Sequence, residues 1–258
     1  MPAFLPVLLA LTGCTEPPKV KLDVRDVWNE PIAGATIVQE GVTERFTSGA
    51  DGTVMVEVKP GTLSFMAGQD GFIKDLESIT IAEEADKPPA VVFHLYPEPE
   101  NPGFYGVSRA APYVHLEAQP IQSVATEMST YHGIKDIPKS MIPKNVKPLR
   151  FVFNSTLRVQ EIKRQDLRLS KLRYLEEAEV QGVLGAETVD LNLWVADGDV
   201  KFDVKGLQSK DDYLLEVEGD LEPGFYAFHA QNVLDSRNAD VLDKLPKELK
   251  VVFPFEVK

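Results

Sequence analysis

The sequence predicts an all-β protein of two sandwich-type domains. The first is a seven-stranded sandwich, and the second is a larger sandwich or open barrel with one or two short helices. Three observations carry this prediction. Apolar and polar residues alternate with a period of two along much of the chain, and turn residues recur between the runs, as in the strands of an antiparallel sandwich. The 19 prolines and 17 glycines are dispersed rather than clustered, which favours many turns over long helices. The charge also changes along the chain, from a net −9 over residues 14–101 to a net −4 over residues 102–258. The change coincides with Pro97-Glu98-Pro99-Glu100-Asn101-Pro102, a stiff stretch that continues neither strand nor helix. The expected organisation is a leader over 1–13, a tether over 14–19, a first domain over 20–97, a linker over 98–103 and a second domain over 104–258.

The strands of the first domain follow in order. Val20, Leu22 and Val24 alternate with Lys21, Asp23 and Arg25. Ala35 and Ile37 follow Pro31-Ile32-Ala33-Gly34, and Ala50-Asp51-Gly52-Thr53 is a turn signal before Val54, Val56 and Val58. Pro60-Gly61 turns into Leu63 to Ala67, and Ile79 to Ile81 and Val91 to Leu95 complete the set. The motifs Pro31-Ile32-Ala33-Gly34-Ala35, Thr47 to Val54, Pro60-Gly61 and Ala67 to Phe72 resemble the carboxypeptidase-regulatory-like domain. That resemblance implies a seven-stranded transthyretin-like sandwich with a structural or adhesive role and no active site of its own.

The lone cysteine, Cys14, follows an apolar run from Phe4 to Leu11 and the pair Thr12-Gly13. Leu11-Thr12-Gly13-Cys14 resembles the lipobox of bacterial lipoproteins. The resemblance implies a signal peptide removed before Cys14 and a diacylglyceryl group on its thiol, with acyl chains such as palmitate. A thiolate suits that alkyl transfer because it is a strong nucleophile. The apolar run is well short of the roughly 20 residues that span a bilayer, so lipid is the expected membrane anchor. Thr15 rather than Asp follows the cysteine, which by the same resemblance implies the outer membrane of the bacterial cell envelope. With one cysteine there is no intramolecular disulfide, so hydrophobic burial must hold the domains; hydrophobic residues make up 43% of the chain.

In the second domain Val189, Leu191, Leu193 and Val195 alternate with polar neighbours, and so do Val200, Phe202 and Val204. Asp197-Gly198 between the two runs reads as a hairpin turn. Tyr113 to Leu116, Leu149 to Phe153, Tyr213 to Val217, Pro223 to Phe228 and Leu249 to Val257 are further strands, with Pro254 marking an edge or a bulge. Residues 157–179 leave helix and strand open, and the alternation at Leu167-Arg168-Leu169 favours strand. Short helices are expected at 121–132 and at 235–245, the second capped near Asp235.

A net charge of −13 argues against nucleic acid as a partner. No Gly-rich phosphate loop, CxxC pair, HExxH or G-x-S-x-G occurs, so neither a cofactor nor a metal is expected. Four scattered histidines, His94, His115, His132 and His229, lack ligand spacing. Asp197-Gly198-Asp199 and Asp211-Asp212 lack the oxygen pattern of a calcium loop.

Two features are candidates for binding. One is the basic cluster Arg158, Lys163, Arg164, Arg168, Lys171 and Arg173, which suits anionic headgroups unless neighbouring acids neutralise it. The other is Trp194, which alternation places on a polar face with Asp190 and Asn192, where an exposed indole marks a partner surface or a contact between the two domains. Phe104, Tyr105, Phe225, Tyr226 and Phe228 read as core. The expected function is that of a lipid-anchored, non-catalytic envelope protein serving as a structural, adhesion or assembly module, with an envelope protein or glycan as partner. The alternative is an envelope protein whose second domain binds polysaccharide, peptide or a hydrophobic ligand. A hydrolase built on His132 or His115 ranks third.

Overall fold

The structure is a computed structural model that describes residues 17–82, 89–108, 111–127, 130–142, 147–157, 166–230, 233–234 and 250–258. Cys14, the helix expected at 235–245, and Arg158, Lys163 and Arg164 lie outside the described residues. The fold is all-β, with sheets packed as sandwiches and no closed barrel. The chain divides into two compact units: Met1–Asp70 with Lys74–Leu95, and Gly71–Ile73 with Tyr96–Lys258.

Among the described residues seven strands build the first unit: β1 (Lys19–Asp26), β2 (Thr36–Gln39), β3 (Arg45–Thr47), β4 (Thr53–Glu57), β5 (Gly61–Gly68), β7 (Asp75–Ile81) and the greater part of β8 (Ala90–Pro97). The short β6 (Phe72–Ile73) pairs with Tyr96 and Pro97 in the second unit. In the first unit one sheet runs β4-β1-β8 and the other β3-β2-β5-β7. The alternation in β1 is realised literally, because Val20, Leu22 and Val24 are fully buried while their neighbours are not. Ala35, Ile37, Phe65, Ala67, Phe93 and Leu95 are fully buried with them. One pairing departs from the antiparallel expectation: β1 and β8 run parallel, from Lys21↔Ala90 to Asp26↔Leu95. Alternation fixes which side chains are buried but says nothing of strand direction. Gly52 is required where it stands, with φ at 77°, because a Cβ there would lie 2.6 Å from the Val24 carbonyl oxygen.

The second unit holds β9 (Gly103–Ser108), β10 (Ala111–His115), β11 (Gln119–Pro120), β12 (Gln122–Ala125), β13 (Thr130–Gly133), β14 (Met141–Ile142) and β15 (Arg150–Asn154). It continues with β16 (Leu167–Gly182), β17 (Gly185–Val200), β18 (Phe202–Gly206), β19 (Asp212–Val217), β20 (Gly224–Ala230) and β21 (Val251–Val257). One sheet is ordered β10-β9-β15-β19-β18; the other is β11-β21-β20-β16-β17, with β14 joined to β21.

Two expectations are corrected here. Instead of a helix over 121–132, β12 and β13 form an antiparallel pair from Gln122↔Gly133 to Ala125↔Thr130. Val124 and Tyr131 are half-buried against the fold, and this tertiary cover overrides local helix preference. Asp197-Gly198 is not a hairpin turn either. β17 runs straight through it and pairs with β16, while Phe202 begins a strand of the other sheet that pairs with β19. The register shift between Ser170 and Leu172 makes Asp197-Gly198 a bulge, with Gly198 at φ 139°. A flexible Asp-Gly pair serves a bulge as well as a turn. Pro254 falls in a gap, since β11 flanks β21 only at Val251–Val252 and β14 only at Glu256–Val257. Its missing N–H is tolerated at that locally open position.

The two sheets of this unit meet through phenylalanines. Phe104 from β9 stacks on Phe153 at 4.2 Å and on Phe228 at 4.7 Å, while Phe151 meets Phe228 edge-on at 4.8 Å. Phe255 closes the stack from β21. Offset and edge geometries add stabilisation beyond the area buried. Phe228 touches Phe104, Phe151 and Phe255 and is fully buried. Phe228→Ala is therefore expected to destabilise the protein by about 3–5 kcal/mol, read as a fall in the denaturant midpoint. A loss below ~1 kcal/mol would contradict this packing.

Candidate functional site

The surface of chemical interest lies in the second unit, where the face of β16, β17 and β20 turned away from the phenylalanine stack carries polar groups at one end. β16 and β20 pair Ser170 with Ala227 and Arg168 with His229, and β17 sets Asp199 opposite Ser170. These pairings bring Arg168 and Ser170 of β16 together with Asp199 of β17 and His229 of β20. The Ser170 Oγ lies 2.9 Å from His229 Nε2 and 3.0 Å from Asp199 Oδ1. Arg168 donates to the other Asp199 oxygen at 3.1 Å, and also to Asp166. His229 Nδ1 lies 2.8 Å from the Ala230 carbonyl oxygen, which can only accept, so Nδ1 carries the proton. His229 Nε2 in the neutral ring is then an acceptor. Ser170 has one proton and two acceptors beside it, so only one of its two contacts is a hydrogen bond at any instant.

Two clefts border this chain of groups and share Arg168 and Asp199. One, of about 470 Å³, has a floor of Leu167, Leu169, Phe202 and Tyr213 and a charged rim. The other, of about 330 Å³, is lined by Tyr131, His132, Ser170, Arg173 and His229 among others. Burial holds the His229 pKa below its ordinary value, opposed by its bond to Ala230 and by the charge of Asp199.

The order of the groups differs from a nucleophilic triad. In such a triad the carboxylate holds the far nitrogen of the histidine, whereas here a backbone carbonyl occupies that nitrogen and the carboxylate touches the serine. Ser170 is also fully buried. His132, a hydrolase candidate, is itself buried and bonds Ser123 through Nδ1 at 2.7 Å. His115 is exposed and lies against the Tyr105 ring at 4.8 Å. Among the described residues no group of three or more His, Cys, Asp or Glu is placed to hold a metal, and no helix is long and apolar enough to cross a membrane.

The described members of the basic cluster are each paired with an acid. Arg168 bonds Asp166 and Asp199, Lys171 bonds Glu222 at 3.1 Å, and Arg173 bonds Asp197 at 3.1 Å. The bond to Glu222 raises the Lys171 pKa. Of these partners only Asp166 is near in sequence; Asp197 and Asp199 arrive on the paired strand β17 and Glu222 in the loop before β20, which residue spacing alone does not reveal. Trp194 is not an exposed indole, because its ring is half-buried between Phe225 at 4.6 Å and Tyr174 at 5.3 Å. Its backbone exchanges two hydrogen bonds with Ile134. The face it occupies is not the polar one expected with Asp190: a register shift separates Trp194 from Asp190 along β17, and Trp194 packs against a second small core that includes Ile134 and Leu234.

The exposed apolar residues lie instead at the end of the β16–β17 ribbon. β20 pairs with β16 only from Leu167 to Leu172, and beyond that point β16 pairs with β17 alone. At the connecting turn Val183 is 81% exposed and Leu184 102%. Glu127 supports the turn by accepting the Val183 N–H at 2.7 Å.

No family model matches the chain, and no curated protein matches it. Among solved structures it is similar to the C-terminal domain of the Caf1A usher, at 16% identity over 30% of this chain and 94% of that one, with a TM-score of 0.25. It is also similar to BcpA, the major pilin subunit of Bacillus cereus, at 12% identity over 93% of this chain and 67% of that one, with a TM-score of 0.26. A DUF3823 family protein from Parabacteroides merdae shows 10% identity over 94% of this chain and all of the other, with a TM-score of 0.23. Likeness this remote carries no argument about function.

The depressed His229 pKa sets a pH dependence. The unfolded histidine titrates at about 6.5 and the folded one below that, so between the two values the unfolded state binds more protons. Stability from this group is full above pH 6.5 and falls as pH drops through the folded value. Denaturation midpoints at about pH 7.5 and about pH 5 are expected to differ more in the wild type than in His229→Gln. Equal differences would remove His229 as the cause.

Proposed function

We propose that this protein is a lipid-anchored, non-catalytic component of the bacterial cell envelope, at the outer membrane, serving as a structural or assembly module. Three features support the reading: the lipobox-like Leu11-Thr12-Gly13-Cys14, the motifs of the first unit that resemble a carboxypeptidase-regulatory-like domain, and the buried Ser170–His229 pair in an order unsuited to nucleophilic attack. The observation that carries it most is the interior of the second unit. Stacked phenylalanines fill the space between its two main sheets, and the conspicuous exposed apolar pair sits at a ribbon tip, where contact with another molecule is easiest.

Detergent phase partitioning tests the anchor. Wild-type protein expressed in its native host is expected in the detergent phase and Cys14→Ala in the aqueous phase. Equal partitioning of the two would refute lipidation at Cys14.

The larger cleft favours a second reading, capture of a small amphipathic ligand between an apolar floor and a charged rim. Under this reading Val200→Trp, which fills the cleft, abolishes binding of the fatty acids or oligosaccharides that titrate into the wild type. Absence of any such binding in the wild type excludes it.

A further inference from the structure

The ribbon tip differs from an ordinary surface turn in its charge as well as its exposure. Glu176, Glu177, Glu179, Glu187 and Asp190 lie on its two strands, all exposed, and no Lys or Arg occurs between Arg173 and Lys201. Pairing sets Glu177 directly opposite Asp190, and Glu187 opposite Val180. Like charges placed across a strand pair destabilise it, and among the described residues no cation bridges these five acids. A sixth acid, Glu127, reaches the turn itself. The ribbon therefore carries uncompensated negative charge around two solvent-exposed apolar side chains that its own fold does not use.

We propose that Val183 and Leu184 insert into an apolar pocket of a partner protein whose rim is rich in lysine and arginine. The partner's cations neutralise the acidic collar, relieve the Glu177–Asp190 repulsion, and steer the encounter. Glu127 holds the turn in place, so little ordering is needed on binding. The same charge disfavours two other occupants. An anionic lipid surface repels the collar, and a second copy brings a ribbon of the same sign on a chain of net charge −13. The inference deepens the assembly role proposed above by naming its surface and the chemistry of its partner, and it does not depend on the lipid anchor.

The test replaces Leu184 by the photo-crosslinker p-benzoyl-phenylalanine in the full chain and irradiates intact cells of the native host. A protein adduct is expected, with the label mapped to an apolar segment flanked by Lys or Arg. The same experiment is repeated with Glu177→Lys and Glu179→Lys present. The first of these substitutions sets a cation opposite Asp190 in place of a like charge. The double variant therefore folds with an unchanged or higher melting midpoint, yet the adduct is expected to fall at least tenfold. An adduct that survives the charge reversal overturns the proposal, as do crosslinks to lipid, to a second copy of the chain, or to nothing. Cys14→Ala run in parallel keeps the two readings apart. Loss of detergent partitioning with the adduct retained leaves the tip assignment standing, and loss of the adduct in an anchored protein refutes the tip alone.

Discussion

The second unit depends on the stack of phenylalanines that joins its two sheets. Phe104, Phe151 and Phe153 come from one sheet and Phe228, Phe253 and Phe255 from the other, so neither sheet can bury its inner face without the other. Aromatic rings bury large areas and prefer the offset and edge contacts seen here. With the only cysteine at position 14, no disulfide shares that task. The Ser170–His229 pair is mounted on this base. β20 supplies Phe228 to the core and His229 to the opposite face, and β16 supplies Leu169 and Ser170 in the same way.

Much of the fold was legible because burial follows the strand period. Val20, Leu22 and Val24 declare their inward face by alternation alone, whereas Phe151, Val152 and Phe153 are all buried and carry no such signal. Strand partners were not legible. The Asp197-Gly198 pair carries the chemistry of a turn, and only the competing length of β16 shows that it is a bulge within a longer strand. Strand direction was hidden in the same way, since the parallel β1–β8 pair has the same alternation as an antiparallel one.

The candidate site was less legible still. Arg168, Lys171 and Arg173 stood out as a basic run, but their neutralising partners Asp197, Asp199 and Glu222 arrive through long-range pairing. These exposed pairs contribute little stability individually, and their main effect is to remove a free cationic surface. Ser170 and His229 gave no signal, because a serine and a histidine 59 residues apart are brought together only by the register of β16 and β20. The ribbon tip did leave a trace: a Gly-Val-Leu-Gly turn, at residues 182–185, flanked by acids and free of bases, is visible once the strand pairing is known.

Native-state hydrogen exchange tests most directly the picture of one aromatic-cored unit bearing a projecting ribbon. Amides of β9, β15, β19 and β20 are expected to share the highest protection and to exchange only on global unfolding. Those of the ribbon from Glu176 to Glu187 are expected to open locally at much lower free energy. Equal protection of ribbon and core, or independent exchange of the two sheets, would contradict it.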